Sequence, residues 1–373
     1  MKELRIKDIC NKGSSNLKQK DVEGKNGQYP VYGASGIISH IDTYHQEENY
    51  IAIVKDGSGI GRVTFMPAKS SVIGTMQYIL PKEGFNINYI GYCLQSLDLS
   101  KYKQGAAIPH IYFRDYGERI VKVTEDTKEQ QSIVDYLDSA FSKIDAMKAN
   151  AEKALNEAKA LFQATLKEML EPKEGWEEKK LGEMSEIQSG FAFKSTQFLN
   201  SGKYQVIRMG NVRPGLIRYN ESPVYVEAMD ENKIDKALLK VGDMIITQTG
   251  SRNKRDYGYS VLIDKENLLL NQRIARIRVI STITNKYLLY YSWTDYFRDQ
   301  YFANEGGTVG QGNVGIDAIK FATITFPPLA EQQSIVATLD SLKSKVDRLQ
   351  ANFEKISQEC DALKQAILRQ VFE

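Results

Sequence analysis

The chain has 373 residues, 42% of them hydrophobic and 26% charged, with a formal net charge of +2. This composition leaves room for two domains with their own cores. With no run of 18 apolar residues, the sequence predicts no signal peptide, transit peptide or membrane span. The scattered Cys10, Cys93 and Cys360, with no CxxC and only three histidines, argue against a disulfide framework or a zinc site and favour a reducing cytoplasm.

The first segment, residues 1–128, reads as a mixed α/β domain. Tyr50–Val54 and Arg62–Met66 are short β-type runs joined by the glycine-rich turn Asp56-Gly-Ser-Gly-Ile-Gly61, and a helical stretch follows around 86–104. The glycine turn lacks GxGxxG spacing and is expected to connect strands, not to cradle a nucleotide. Residues 129–172 read as a long helix free of Gly and Pro until Pro172 closes it. Residues 173–328 form a second mixed α/β segment, with β-type runs at Asp243–Thr247 and Ala275–Ile280 and a helical stretch around 284–304. Pro327-Pro328 then precedes a second helical segment, 329–373.

The two helical segments repeat each other. Glu129-Gln-Gln-Ser-Ile-Val134 returns as Glu331-Gln-Gln-Ser-Ile-Val336, and 23 of the 43 positions from 129–171 are identical to those from 331–373. In the second copy, apolar residues step by three and four from Leu339 through Leu342, Val346, Leu349, Phe353, Ile356, Cys360 and Leu363 to Ile367, a heptad seam. The same positions in the first copy are Leu137, Ala140, Ile144, Met147, Ala151, Ala154, Ala158 and Leu161. A bulky seam facing an Ala-rich one predicts close packing of the two helices, most simply antiparallel, each roughly 60 Å long. The expected fold class is α+β: two mixed domains joined by two long antiparallel helices, a coiled coil with pseudo-two-fold symmetry. Ile133, Val134, Ile335, Val336 and Leu368 fall outside the seam and are expected to be covered by partner subunits.

Charge divides unevenly. Residues 1–128 carry 17 basic against 14 acidic side chains and residues 173–328 carry 21 against 18, whereas both helical segments are net acidic. The positive excess therefore sits on the domains, which suits an anionic partner there. No catalytic residue is identified: there is no GxxxxGK[ST] loop, and Phe326-Pro-Pro-Leu329 lacks the flanking residues of an amino-methyltransferase motif. The loops instead mix Gly with Arg, Asn and Gln, side chains that grip base edges in a groove. The candidate DNA contacts in the first domain are Lys55, Ser58, Arg62, Gln77, Lys103, Gln104 and His110. In the second they are Arg208, Asn211, Arg213, Gln248, Arg252, Asn253, Lys254, Arg255, Tyr257, Asn271, Arg273, Gln311 and Asn313. Lys254 and Arg255 are expected to touch phosphates, which position a protein without specifying sequence.

The duplicated Glu-Gln-Gln-x-Ile-Val motif, each copy opening a heptad helix after an α/β domain, resembles the specificity subunit of type I DNA restriction-modification systems. Phe326-Pro-Pro-Leu-Ala-Glu331 and Ser189-Gly-Phe-Ala-Phe-Lys-Ser195 add to the resemblance. The opening of the first helix, Val121-Lys-Val-Thr-Glu125, departs from it by lacking Pro-Pro-Leu. The resemblance implies two target-recognition domains reading an asymmetric, bipartite double-stranded DNA site, with the helices as a ruler between its halves. It implies two methyltransferase subunits as partners, bringing S-adenosylmethionine and extruding a target adenine. It also implies nuclease-translocase restriction subunits using ATP and Mg, with no cofactor in this chain. Two other readings stand beside it: a self-contained nuclease or methyltransferase with fused recognition domains, and a coiled-coil adaptor for protein or glycan.

Overall fold

The structure is a computed structural model that describes residues 1–105, 109–227, 234, 236–303 and 305–373. The fold is α+β, with two long helices, Thr127–Leu170 and Leu329–Phe372. The chain divides into two compact units: residues 1–153 with 351–373, and residues 154–350. Each unit therefore holds one head together with part of both long helices.

In the first unit a four-stranded antiparallel sheet runs in the order Cys10–Ser14, Met76–Pro81, Tyr50–Val54, Val63–Met66. All five residues of Tyr50–Val54 are buried, because both faces of this central strand are covered. With a period of two, Ile51 and Ile53 pack towards the helix Ile87–Ser96, while Tyr50, Ala52 and Val54 pack with Met76 and Tyr78. The strand Lys2–Arg5 pairs with Ile120–Val123, tying the start of the head to the residues that lead into the long helix.

The second unit repeats this plan with other residues. Its sheet runs Ser185–Ser189, Ile274–Val279, Met244–Thr247, Ser260–Leu262, and Glu177–Lys180 pairs with Thr323–Phe326. A smaller sheet also recurs: Tyr29–Gly33 runs parallel to Ser71–Val72 in a three-stranded sheet of the first head, and Tyr204–Ile207 runs parallel to Leu268–Leu270 in a four-stranded sheet of the second.

The first glutamine-pair residue of each repeat joins helix to head. Gln130, fully buried, accepts the backbone N–H of Asn86 at 2.7 Å and donates to the carbonyls of Gly84 and Thr124, both at 3.0 Å. Gln332 accepts from Thr284 N at 2.9 Å and donates to Pro327 O at 2.9 Å and Thr282 O at 3.3 Å. Asn86 and Thr284 are the N-caps of the head helices Ile87–Ser96 and Asn285–Tyr291. The repeated motif is thus a joint.

Within each unit the long helices run antiparallel. In the first, Lys364 Nζ meets Asp145 Oδ1 at 2.6 Å, Lys148 Nζ meets Asp361 Oδ1 at 3.5 Å, and Cys360 Sγ lies 3.7 Å from Ile144 O. In the second, Lys159 Nζ donates to Gln350 Oε1 at 2.9 Å. The seam differs in detail from the sequence expectation. Leu137, Ile144, Leu339 and Val346 are buried, and Ala151, Ala158, Leu349, Phe353 and Ile356 are partly buried. Met147, Leu161 and Leu363, however, are 59%, 57% and 48% exposed, and Ala154 is exposed too. The first helix buries Leu155 and Phe162 in place of Ala154 and Leu161. Its stripe steps four then three, because this face must meet the head as well as the other helix. Phe162 packs against Tyr290 and Trp293.

The expectation that partner subunits cover Val134, Ile335 and Leu368 is corrected. All three are buried within the chain, with Ile133 and Val336 partly so. Val134, Leu137, Leu368 and Phe372 belong to the first unit's core, and the Phe372 ring lies 5.3 Å from that of Tyr89. The end of the sequence thus closes the core begun by its first head.

Candidate nucleic-acid interface

In the first unit, the turn between Tyr50–Val54 and Val63–Met66 is stitched to the segment around His110. Ile111 N donates to Lys55 O at 2.9 Å, Gly57 N donates to Pro109 O at 3.1 Å, and Gln104 and His110 exchange backbone hydrogen bonds at 2.8 Å. Lys55, Ser58, Gln104 and His110 therefore lie on joined loops. The Asp56 carboxylate stands between Lys55 Nζ at 3.8 Å and His110 Nδ1 at 2.7 Å. Arg62 is tied to Ala34 O, while Lys103 is exposed and has no ion pair among the described residues. Sequence reading missed Tyr112 and Arg114. The Tyr112 ring stacks on His110 with centroids 6.3 Å apart, and the Arg114 guanidinium lies 4.7 Å over Tyr112. The two-residue period of extended backbone from His110 was the signal that could have found Tyr112.

In the second unit the same joint appears with other side chains. Thr249–Ser251 forms a ladder with Gln311–Asn313, and Val314 N donates to Gln248 O at 2.8 Å. Val314 thus corresponds to Ile111, Asn313 to His110 and Thr249 to Asp56. Thr249 Oγ1 donates to Asn313 Oδ1 at 3.0 Å where the first unit has its carboxylate–imidazole pair. Arg252 is held at the ladder's edge, Nη2 donating to Gly306 O at 2.8 Å and Nε lying 3.4 Å from Glu305 Oε2. Gly307, at φ 113°, closes the turn; a Cβ there would meet Gln311 O at 2.2 Å. Asn253, Lys254 and Arg255 are exposed on the turn that follows Thr249–Ser251. Arg255 adopts φ 44° and lies 4.9 Å over Phe302, whose ring Arg298 also approaches at 5.1 Å. Burial holds the Arg298 guanidinium below its ordinary range, and Arg255 adds to that effect.

A groove of about 540 Å³ lies beside this ladder, lined by Arg208, Asn211, Ser222, Asn271, Gln272 and Arg273 among others. Gln248 N donates to Arg273 O at 2.8 Å, which connects groove and ladder. Ser222 and Arg273 both take left-handed backbone conformations, φ 48° and 67°, of the kind that concentrates at binding sites. Arg208 donates to Ser222 O, and its buried Nε has no hydrogen-bond partner among the described residues. Arg273 is exposed, and no ion pair neutralises it among the described residues. The arrangement can grip an anionic, amide-rich ligand edge with two guanidiniums and the side chains of Asn271 and Gln272.

Four predicted contacts are corrected. Gln77, 5% exposed on a sheet strand, donates to Tyr116 Oη. Asn211, 3% exposed, accepts from Arg208 N at 3.0 Å and donates to Glu221 O at 2.8 Å and Arg218 O at 3.2 Å, so its amide is spent inside the loop. Gln248 is buried and donates to Val314 O at 3.0 Å. Tyr257 is fully buried and donates to Glu305. All four are polar groups that satisfy loop backbones or buried partners, as buried polar atoms must. Arg213 does not line the groove; its guanidinium caps Gly210 O and Val212 O at 2.9 and 2.8 Å. Among the described residues no group of three His, Cys, Asp or Glu side chains could hold a metal, and no helix is long and apolar enough to cross a membrane.

The family model described as "Type I restriction modification DNA specificity domain" matches residues 1–157 and again 173–358. The MjaVIII type I restriction enzyme specificity subunit of Methanocaldococcus jannaschii is 26% identical over 327 residues, covering 83% of this chain and 76% of that protein. The EcoBI specificity subunit of Escherichia coli is 27% identical over 212 residues, which cover 57% of this chain and 41% of the relative's length. A solved chain described as "Structural basis underlying complex assembly and conformational transition of the type I R-M system" has the same fold. Its TM-score is 0.70 at 16% identity, covering 98% of this chain and 96% of that one.

Proposed function

The chain belongs to the type I restriction-modification DNA specificity family, and from that premise we propose that each head reads one half of an asymmetric, bipartite DNA site. One observation carries this reading: the same loop joint is built twice and furnished differently, with Asp56 and His110 in one unit and Thr249 and Asn313 in the other. Conserved backbone stitching with divergent side chains suits two readers of different sequences. The exposed cations Lys103, Lys254, Arg255 and Arg273 would meet phosphates or base edges. The long helices would set the distance between the halves.

In this reading the chain is a non-catalytic, cytoplasmic recognition subunit. Two methyltransferase subunits would bring S-adenosylmethionine, and restriction subunits would bring the ATP- and Mg-dependent nuclease-translocase activity. The solved neighbour, whose description concerns complex assembly, supports a place within a larger assembly. Selection of duplexes from a random-sequence pool with the full chain tests the reading. Two short conserved half-sites separated by a fixed unspecified gap are expected. A single continuous site, or no enrichment, sinks it.

A further inference from the structure

We propose that Asp56 is a positioning residue that fixes the ring of His110 so that its Nε2 accepts a hydrogen bond from an exocyclic amino group of a base, adenine N6 or cytosine N4, in the half-site read by the first head. This rests on the function proposed above and deepens it, naming the edge chemistry one head would recognise. A carboxylate only accepts hydrogen bonds, so the 2.7 Å contact from His110 Nδ1 to Asp56 Oδ1 requires the proton on Nδ1. In the neutral imidazole this leaves Nε2, on the far edge of the ring, as a lone-pair acceptor. No described residue hydrogen-bonds Nε2, and the His110 side chain is 39% exposed.

The ring is held at Nδ1 and by stacking, and its backbone is fixed as well. Its backbone is bridged to Gln104 at 2.8 Å in both directions, Gly57 N binds the carbonyl of the preceding Pro109 at 3.1 Å, and Tyr112 stacks on the imidazole. Lys55 Nζ, 3.8 Å from Asp56 Oδ2, balances the carboxylate's charge, and Gln104 Nε2 donates to Asp115 Oδ2 at 2.8 Å, keeping that second carboxylate engaged elsewhere. Arg114 lies 4.7 Å over the Tyr112 ring, with its Nε 3.4 Å from Asp115 Oδ1. An acceptor with a fixed direction distinguishes bases presenting an amino donor in the major groove, adenine and cytosine, from guanine and thymine, which present no donor there. The second unit supports the assignment: the equivalent bridge holds the exposed Asn313, whose amide carbonyl is engaged by Thr249 and whose NH2 group has no hydrogen bond among the described residues. The same device then presents an acceptor in one head and a donor in the other.

The test uses the full chain. Nitrogen-15 spectra of the His110 ring should show the Nδ1–H tautomer in the free protein; the Nε2–H tautomer overturns the proposal. In duplex selection, Asp56→Ala should lower discrimination at one base pair of the first half-site by about three- to tenfold, the worth of one hydrogen bond. Asp56→Asn, whose Oδ1 still accepts from Nδ1–H, should retain it. The double change Asp56→Thr with His110→Asn should alter the preferred base at that pair. The second half-site is the internal standard for a folded protein and should be unchanged throughout. Even loss of affinity over all sequences with Asp56→Ala, or an unaltered base preference in the double variant, overturns the proposal. A wild-type chain that enriches no sequence overturns the proposed function itself, and this inference with it.

Discussion

Gln130 Oε1 accepts the backbone N–H of Asn86 at 2.7 Å, locking the N-cap of the head helix to the first turn of the long helix. Gln332 and Thr284 repeat the contact at 2.9 Å in the other unit. Each glutamine satisfies three backbone groups, so truncation strands buried donors and acceptors together. Gln130→Ala and Gln332→Ala are each expected to cost about 2–4 kcal/mol, read as a lower midpoint in urea unfolding. Stability within 0.5 kcal/mol of wild type, as is usual for a surface substitution, would remove the joint from the account.

Gly91 lies in the helix Ile87–Ser96 where the ring of Phe65 presses on its backbone; a Cβ there would stand 2.0 Å from Phe65 Cε1. Gly91→Ala should therefore destabilise the first unit by about 1–3 kcal/mol despite alanine's better helix propensity. Adding Phe65→Leu should recover part of that loss. A stabilised single variant would mean that the ring yields freely.

The observed stripe makes different claims from the heptad read in sequence. Leu155→Ala, at a buried position, should cost about 2–5 kcal/mol. Leu161→Ala and Leu363→Ala, both at exposed positions, should stay within about 0.5 kcal/mol of wild type. Large costs at Leu161 and Leu363 with little at Leu155 would restore the original seam.

Arg252 and Lys254 should separate by the kind of defect. Arg252 is pinned to Gly306 O and Glu305, so Arg252→Ala is expected to relax base preference within the second half-site. Lys254→Ala, at an exposed loop position, should weaken binding evenly and lower the salt-dependence slope by about one. Salt-titrated binding to matched and mismatched duplexes distinguishes the two. No change in either variant at any salt would take this loop out of the interface.

One heptad inserted into each long helix keeps the stripe in phase and adds about 10 Å. The unspecified gap of the DNA site should lengthen by about three base pairs, with both half-sites intact in duplex selection. Altered half-sites would show that the helices do more than measure.

How much of this was legible in the sequence depended on the range of the interactions involved. The repeat, the Gly- and Pro-free helices and the short β-type run Tyr50–Val54 were legible because residue propensity, periodicity and chain breakers act over a few residues. The repeated Glu-Gln-Gln-x-Ile-Val was legible as a marker, whereas its meaning was not: Gln130 and Gln332 find backbone partners 44 to 50 residues away. Among the proposed DNA contacts, Gln77, Asn211, Gln248 and Tyr257 have suitable chemistry but lie in the interior, and a sequence does not say which polar groups are needed to satisfy buried ones. Conversely, Tyr112 and Arg114, two and four residues beyond His110, were overlooked although they join its stack, and Ser222 joins Asn271 and Arg273 in the groove through a turn that the chain's order conceals.

By itself, then, the sequence determined that one helical scaffold is written twice and that the heads between differ, since local propensity and repetition need no third dimension. The tertiary structure decided which stripe of each helix is buried, that Leu368 and Phe372 complete the core of the first unit, and that a carboxylate aims His110 in one head where an amide occupies the same bridge in the other. Those choices are made by contacts between residues far apart in the chain, where packing and the satisfaction of buried polar groups outweigh any preference a short stretch can express.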